Sequence, residues 1–403
     1  MIFCLAGAKP RAENKLPKSA IPYDGLDTDQ LNALVGSRFD VVPVTGKPFE
    51  NAELVQLTPG KQPGALKSIS FNPDGGGNKR TLQAKALRRL VADARLYDVV
   101  PARGQKNAFL LVDTTSRNAL VSAKLKSLNR KLWPTLSSEE RETVIQENKD
   151  LLKKVNDAIP GDRFKMAETK HFLFYSDLPV TVVTQIESTL EKSYSTIGQK
   201  LGVPDDENIF RGKTMVALFS NTEDLASYGK REMGREELRG AELILAQPKG
   251  DNQLAAHIGD DPDETVANMV RCSTYAYLDH YRSNLTPPRW IHEGIAQWVM
   301  ASAPPGNKEL QSQLQSAAEA LRKSPTLVDF FDAELFSTRW EPGVAMSLIG
   351  ILIKTDPAAF PGFILQIKEG VPWREALQYN YGLTPDDVTQ QFGRQIGVPD
   401  LQS

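Results

Sequence analysis

Four side chains with chemical potential lie close together in the middle of this chain: Cys272, His280, His292 and Glu293. The run His292-Glu293-Gly294-Ile295-Ala296 begins like HExxH, the helical motif in which two imidazoles one turn apart hold zinc and the glutamate serves as base. Its fifth place is Ala296, so only half the motif is present. The reading is therefore no cofactor, with zinc in an unorthodox set of His280, His292, Glu293 and Cys272 as the alternative. A second chemistry would use Cys272 as nucleophile, which needs a base and an orienting acid beside it. His280 lies two turns along the same helix, ~12 Å away by rise alone. The competing readings are structural. A histidine near a helix end caps or hydrogen-bonds. Glu293 would be a buried carboxylate paired with Arg271 or Arg289, and Trp290, Trp298, Tyr275 and Tyr277 would be core, or else stack on a substrate.

The spacing predicts the elements that carry these residues. Asp260-Asp261-Pro262-Asp263-Glu264 is an acidic, Pro-containing helix entry favoured by the macrodipole. Val266, Met269, Val270, Ser273 and Tyr277 then form one stripe, with Asn268, Cys272 and Ala276 on the next. Leu285-Thr286-Pro287-Pro288 ends that helix, and Arg289 begins another. Strands are expected before the pair, at 171–175, 214–219, 241–246 and 253–258. A helix is expected over 180–201, stopped by Gly202 and Pro204, and another is capped by Asn221. Beyond Met300, helices are expected near 307–323, 343–354, 357–369, 373–380 and 385–396, punctuated by Pro or Gly. Strands followed by a helical half make an α+β fold.

The N-terminal third has a different pattern. Residues 1–36 read as leader or linker. Short strands over 37–100 (39–44, 52–57 and 66–71) suggest a small SH3-like β-barrel or half-open sheet, with a Gly75-Gly76-Gly77-Asn78 hairpin tip. A short helix is expected at Leu87-Arg88-Arg89-Leu90-Val91. Lys79, Arg80, Lys85, Arg88 and Arg89 read as a solvated basic face or an anion patch. Residues 101–163 read as a mostly helical connector, with a strand at 107–113, helical spacing over 125–155 and a cap signal after Pro134.

With these elements in place, PxWxxEGxAxW over Pro288–Trp298 resembles the gluzincin zinc peptidases, and more narrowly the peptidase-MA-like domains of unknown function common in bacterial proteomes. The resemblance extends diffusely over 165–399, through the closing segments with Lys368-Glu369-Gly370, Glu375-Ala376-Leu377 and Tyr381–Val388. It implies a zincin-like domain over 164–399, with Trp290 and Gly294 framing the cleft and Glu293 as third zinc ligand. In the implied register Asn268 replaces the first histidine, Met269 the general base and Cys272 the second histidine. Methionine accepts no proton and an Asn amide is a poor zinc ligand, so the resemblance carries the fold and argues against the chemistry. The expectation is a catalytically inactive zinc-peptidase-like protein, a pseudoenzyme acting as a binding or structural module with a protein or peptide partner. The alternative is an active metal-dependent or cysteine-assisted peptidase with a remodelled site.

Composition narrows the remaining classes. A net charge of −2 over 403 residues with 24% charged side chains gives no basic stripe for nucleic acid. No apolar run approaches the ~18 residues of a membrane span. Cys4 and Cys272 are the only cysteines, which precludes a disulfide framework. Ile2–Ala8 ends in Ala6-Gly7-Ala8 like the cleavage site of a secretory signal. With a full signal upstream the protein is periplasmic or secreted, and otherwise cytoplasmic.

Overall fold

The computed structural model describes residues 15–61, 64–74, 78–92, 95–102, 107–154, 159, 163–232, 234, 243–246, 252–259, 261–303 and 308–403. The signal-like stretch at 2–8, Cys4, the Gly75–Gly77 tip and Asp260 lie outside the described residues. The chain forms two compact units, Met1–Leu132 and Trp133–Ser403, in an α+β fold.

The first unit is a closed β-barrel. Its strands are β1 (Arg38–Pro43), β2 (Phe49–Pro59), β3 (Ala65–Asn72), β4 (Arg80–Gln83), β5 (Leu87–Ala92), β6 (Arg95–Pro101) and β7 (Phe109–Asp113). The order β2-β1-β5-β6-β7-β3 returns to β2 through a β2–β3 ladder, closing six strands, and β4 is added on β3. Closure removes the open edges that a half-open sheet would expose. Val41, Leu54, Ile69, Phe71, Leu90 and Leu111 fill the interior.

Three expectations change here. The strand at 107–113 belongs to the barrel, as β7, because it pairs with both β6 and β3. Leu87–Val91 is a strand, not a helix. Its buried Leu87 and Leu90 have helical spacing because the β1 ladder skips Arg88 between Arg89 and Leu87, and that bulge shifts the inward alternation by one residue. The tail of the expected linker is structured: α1 (Thr28–Ala33) carries an Asp27/Gln30 capping box, and Leu26, Leu31 and Leu34 join the barrel core. The basic cluster is also dispersed. Arg89 pairs with Asp98 at 2.6 Å, Arg80 lies over the Phe49 ring and Lys79 donates to Gln56. The helical spacing over 125–155 resolves into α2 (Thr114–Ser127) and α3 (Ser138–Lys153), the latter started by a Ser137/Glu140 capping box.

In the second unit a five-stranded sheet has the order β11-β12-β10-β9-β8. β9 (Phe172–Ser176), β10 (Thr214–Phe219) and β12 (Gln253–His257) are parallel, with antiparallel β8 (Lys165–Glu168) and β11 (Leu243–Ala246) at the edges. The parallel strands read as continuous apolar runs because helices cover both faces. α3 and α5 (Thr222–Glu232) supply Ile145, Leu152, Leu225 and Tyr228 to one face, against Leu173, Met215 and Phe219. α4 (Val180–Leu201) and α6 (Pro262–His280) cover the other. The bounds of α4 match the sequence reading, with Gly202 as its left-handed cap. The helical half follows: α7 (Arg289–Ser302), α8 (Lys308–Lys323), α9 (Glu341–Thr355), α10 (Phe360–Lys368), α11 (Trp373–Tyr381) and α12 (Pro385–Ile396). No helix among the described residues is long and apolar enough to cross a membrane.

Candidate functional site

The site is built on α6 and α7, which pack against each other. Asp261 caps α6 by accepting from the Glu264 N–H at 3.1 Å, with Pro262 in the first turn. At the other end, Arg282 turns the chain in the left-handed region (φ 66°). The connection is clamped by α10. Lys368, fully buried, donates to the Leu278 carbonyl at 2.7 Å and the Leu285 carbonyl at 2.6 Å. Its neighbour Glu369 pairs with Arg282 at 3.0 Å, and Ser283 donates to the Lys368 carbonyl. Burial pulls the Lys368 ammonium down to about 7, against the opposing charge of Asp279. Orphan carbonyls at a helix end and a charge that must be satisfied thus solve each other's problem.

Glu293 is the centre of the pair, with a relative exposure of 0%. Arg271 Nε and Gln297 Nε2 donate to Oε1 at 2.7 and 2.8 Å. Arg289 Nη2 lies 2.9 Å from Oε2, which also accepts from the Tyr275 hydroxyl. Burial alone would raise the carboxyl, but the Arg271 hydrogen bond and charge, with Tyr275 and Gln297, hold it below the usual carboxylate range. Burial and the Glu293 charge in turn push the Tyr275 phenol up, so it remains a donor. Helical spacing explains the set: Arg289, Glu293 and Gln297 recur every four residues on α7, as do Arg271 and Tyr275 on α6.

The other candidates fall in distinct places. The α6 side chains that hydrogen-bond to Glu293 are Arg271 and Tyr275; Asn268 and Cys272 do not. Met269 is wholly buried core and Asn268 is half-buried. Burial pushes the half-buried Cys272 thiol up to about 11, with Arg271 opposing and Glu293 reinforcing. His292 stacks on the Tyr275 ring at 4.6 Å, with Nε2 3.7 Å from Asp279 Oδ1. His280 belongs to a different neighbourhood. Its ring stacks on Trp133 at 4.8 Å, and Asn252 donates to Nδ1 at 2.8 Å and to the Ala276 carbonyl at 2.9 Å. Trp290 is core, edge-on to Trp373 and Phe331. Gly294 lets α7 approach α9: an added Cβ would lie 2.5 Å from the Ala345 carbonyl oxygen.

These residues do not fit zinc. Among the described residues no three His, Cys, Asp or Glu side chains converge to hold a metal ion. Both Glu293 oxygens already face guanidinium groups, so a divalent cation would be a third positive partner for one carboxylate. With its thiol pushed up by burial, Cys272 is also a poor nucleophile, since the thiolate is the reactive form. Alkylation tests this directly. With mass-spectrometric readout of the Cys272 peptide, iodoacetamide at pH 8 should modify it about 100-fold more slowly than a free thiol, given the ~10-fold loss of thiolate per unit of raised pKa. A rate equal to that of a model thiol would show an accessible thiolate.

Sequence reasoning missed Tyr275 and Gln297 as partners of Glu293, and Lys368 as the clamp. A lysine closing the apolar run FPGFILQIK was the available signal for the last.

No family model and no curated protein matches this chain. Among solved structures, a functionally unknown conserved protein mutant from Bacillus anthracis str. Ames is 9% identical, covering 92% of this chain and 72% of that chain with a TM-score of 0.33. Similarity at that level assigns neither a fold nor an activity to this chain.

Proposed function

We propose that the second unit is a zincin-like domain in which an internal ion-pair network stands in place of the metal, and that it works as a non-catalytic binding or structural module for a protein or peptide. The carrying observation is the state of Glu293: a buried carboxylate with both oxygens engaged by Arg271, Arg289, Tyr275 and Gln297. In the family it resembles, two imidazoles at i and i+4 would approach this glutamate. Here a guanidinium and a phenol, Arg271 and Tyr275, do so at the same spacing. Two fixed positive charges balance the carboxylate without a metal ion. The residues at the implied base and second-histidine positions do not supply that chemistry: Met269 cannot titrate, and burial pushes the Cys272 thiol up.

Metal analysis tests this reading. Protein purified without chelator, then exposed to zinc and desalted, should retain far less than one zinc per chain. Peptide mixtures should be cleaved no faster than in buffer. One tightly held zinc per chain together with chelator-sensitive cleavage would overturn it.

A further inference from the structure

A feature of the barrel stands apart from the helix pair. One edge of β3 changes partner partway along: Ala65 and Leu66 pair with β7, whereas Ser68 to Phe71 pair with β4. Between them, at Lys67, the sheet forks, and the fork opens into a cavity of about 570 Å³. That is the size of a small-molecule site. Three lysines line it from three elements: Lys61 from the β2–β3 turn, Lys67 from β3 and Lys85 from the short 3₁₀ turn after β4. All three are exposed, and none has a hydrogen bond or ion pair with any described residue. Among the described residues no carboxylate lines the cavity. In a chain of net charge −2 this is a local concentration of uncompensated positive charge. Behind the lysines lies an apolar floor of Ala65, Leu66, Ala84 and Phe109.

We propose that this fork binds a phosphate ester, with the lysines holding the phosphate and the floor receiving the organic body. The charge decides the class. A monocarboxylate offers one charge and two oxygens, whereas a phosphate monoester carries close to two charges and three strong acceptors, which suit three ammonium groups. Lysines rather than arginine forks suit a tetrahedral head that needs no planar bidentate match. The floor distinguishes an ester from the free ion.

The test is calorimetric titration of the full chain with phenyl phosphate and with inorganic phosphate. Phenyl phosphate should bind one to one, more tightly than inorganic phosphate, and more weakly as salt rises. Lys67→Gln and Lys85→Gln should each weaken it about tenfold, the scale of one charge-assisted contact. Lys165→Gln and Lys354→Gln, exposed positions in the other unit, should leave it unchanged. Circular dichroism confirms that each variant is folded. Equal loss in the control variants, or no saturable binding at millimolar concentrations, would overturn the site. Equal affinity for both probes would overturn the ester assignment.

Discussion

Glu293→Gln should cost this protein about 2–4 kcal/mol of stability, somewhat below the ~3–5 kcal/mol typical when one partner of a buried ion pair is removed. The discount arises because the Arg271 and Arg289 side chains are 28% and 31% exposed and water relieves part of their loss. The amide keeps the volume and one acceptor but leaves two guanidinium groups facing each other without their counter-charge. Urea denaturation followed by tryptophan fluorescence measures the difference. Adding Arg271→Met to the glutamine variant should recover part of the loss, since it removes one stranded charge; a strictly additive cycle would disprove the coupling. The pH dependence has a defined sign. A carboxyl held below its unfolded value binds fewer protons when folded, so its contribution is complete above the unfolded pKa of about 4.3 and disappears as pH falls through the folded value. The gap between wild type and Glu293→Gln should therefore be full at pH 6 to 8 and narrow in acid.

The second large effect is expected at Gly294. A Cβ there would meet the Ala345 carbonyl oxygen at 2.5 Å, the Ala345 carbonyl carbon at 2.8 Å and Ile349 Cγ1 at 2.7 Å. Two of these are backbone atoms that no rotamer change can move, so α7 and α9 must separate. Overpacking of this kind costs about 1–3 kcal/mol. It should outweigh the ~1 kcal/mol that alanine gains over glycine in a helix. Gly350→Ala is the matched control on α9, because its Cβ would meet only Trp298 Cδ1, at 3.8 Å. Thermal denaturation should show Gly294→Ala melting below wild type and Gly350→Ala at or above it. If Gly294→Ala melts at the wild-type temperature, the helices are not held at this separation.

The helical half and the parallel strands were legible because local signals suffice there. Pro179 and Gly202 bracket α4, and β10 is a continuous apolar run between turn residues. The barrel was legible as short strands, and its closure was one of two readings, beside a half-open sheet. Closure depends on β7 finding β3 far along the chain, and the bulge at Arg88 gave β5 the spacing of a helix. At the site, pairing of Glu293 with Arg271 or Arg289 was among the sequence readings, since i, i+4 spacing on α7 displays one of them. Which face of α6 turns toward α7 was not legible. The motif placed Asn268 and Cys272 there, whereas packing turns Arg271 and Tyr275 inward, three residues along. Helix rotation is set by the whole apolar stripe, and no single motif residue reports it.

The clamp from α10 also bears on the order in which the site can come into being. The carbonyls of Leu278 and Leu285 are satisfied by an amine 90 and 83 residues further along the chain. On a chain emerging from the ribosome, α6 and α7 are complete long before Lys368 exists. Until then the turn between them lacks the two hydrogen bonds that Lys368 donates. The ion-pair centre is thus sequence-local, drawn from α6 and α7 alone, whereas the lock on the turn that joins them waits for α10.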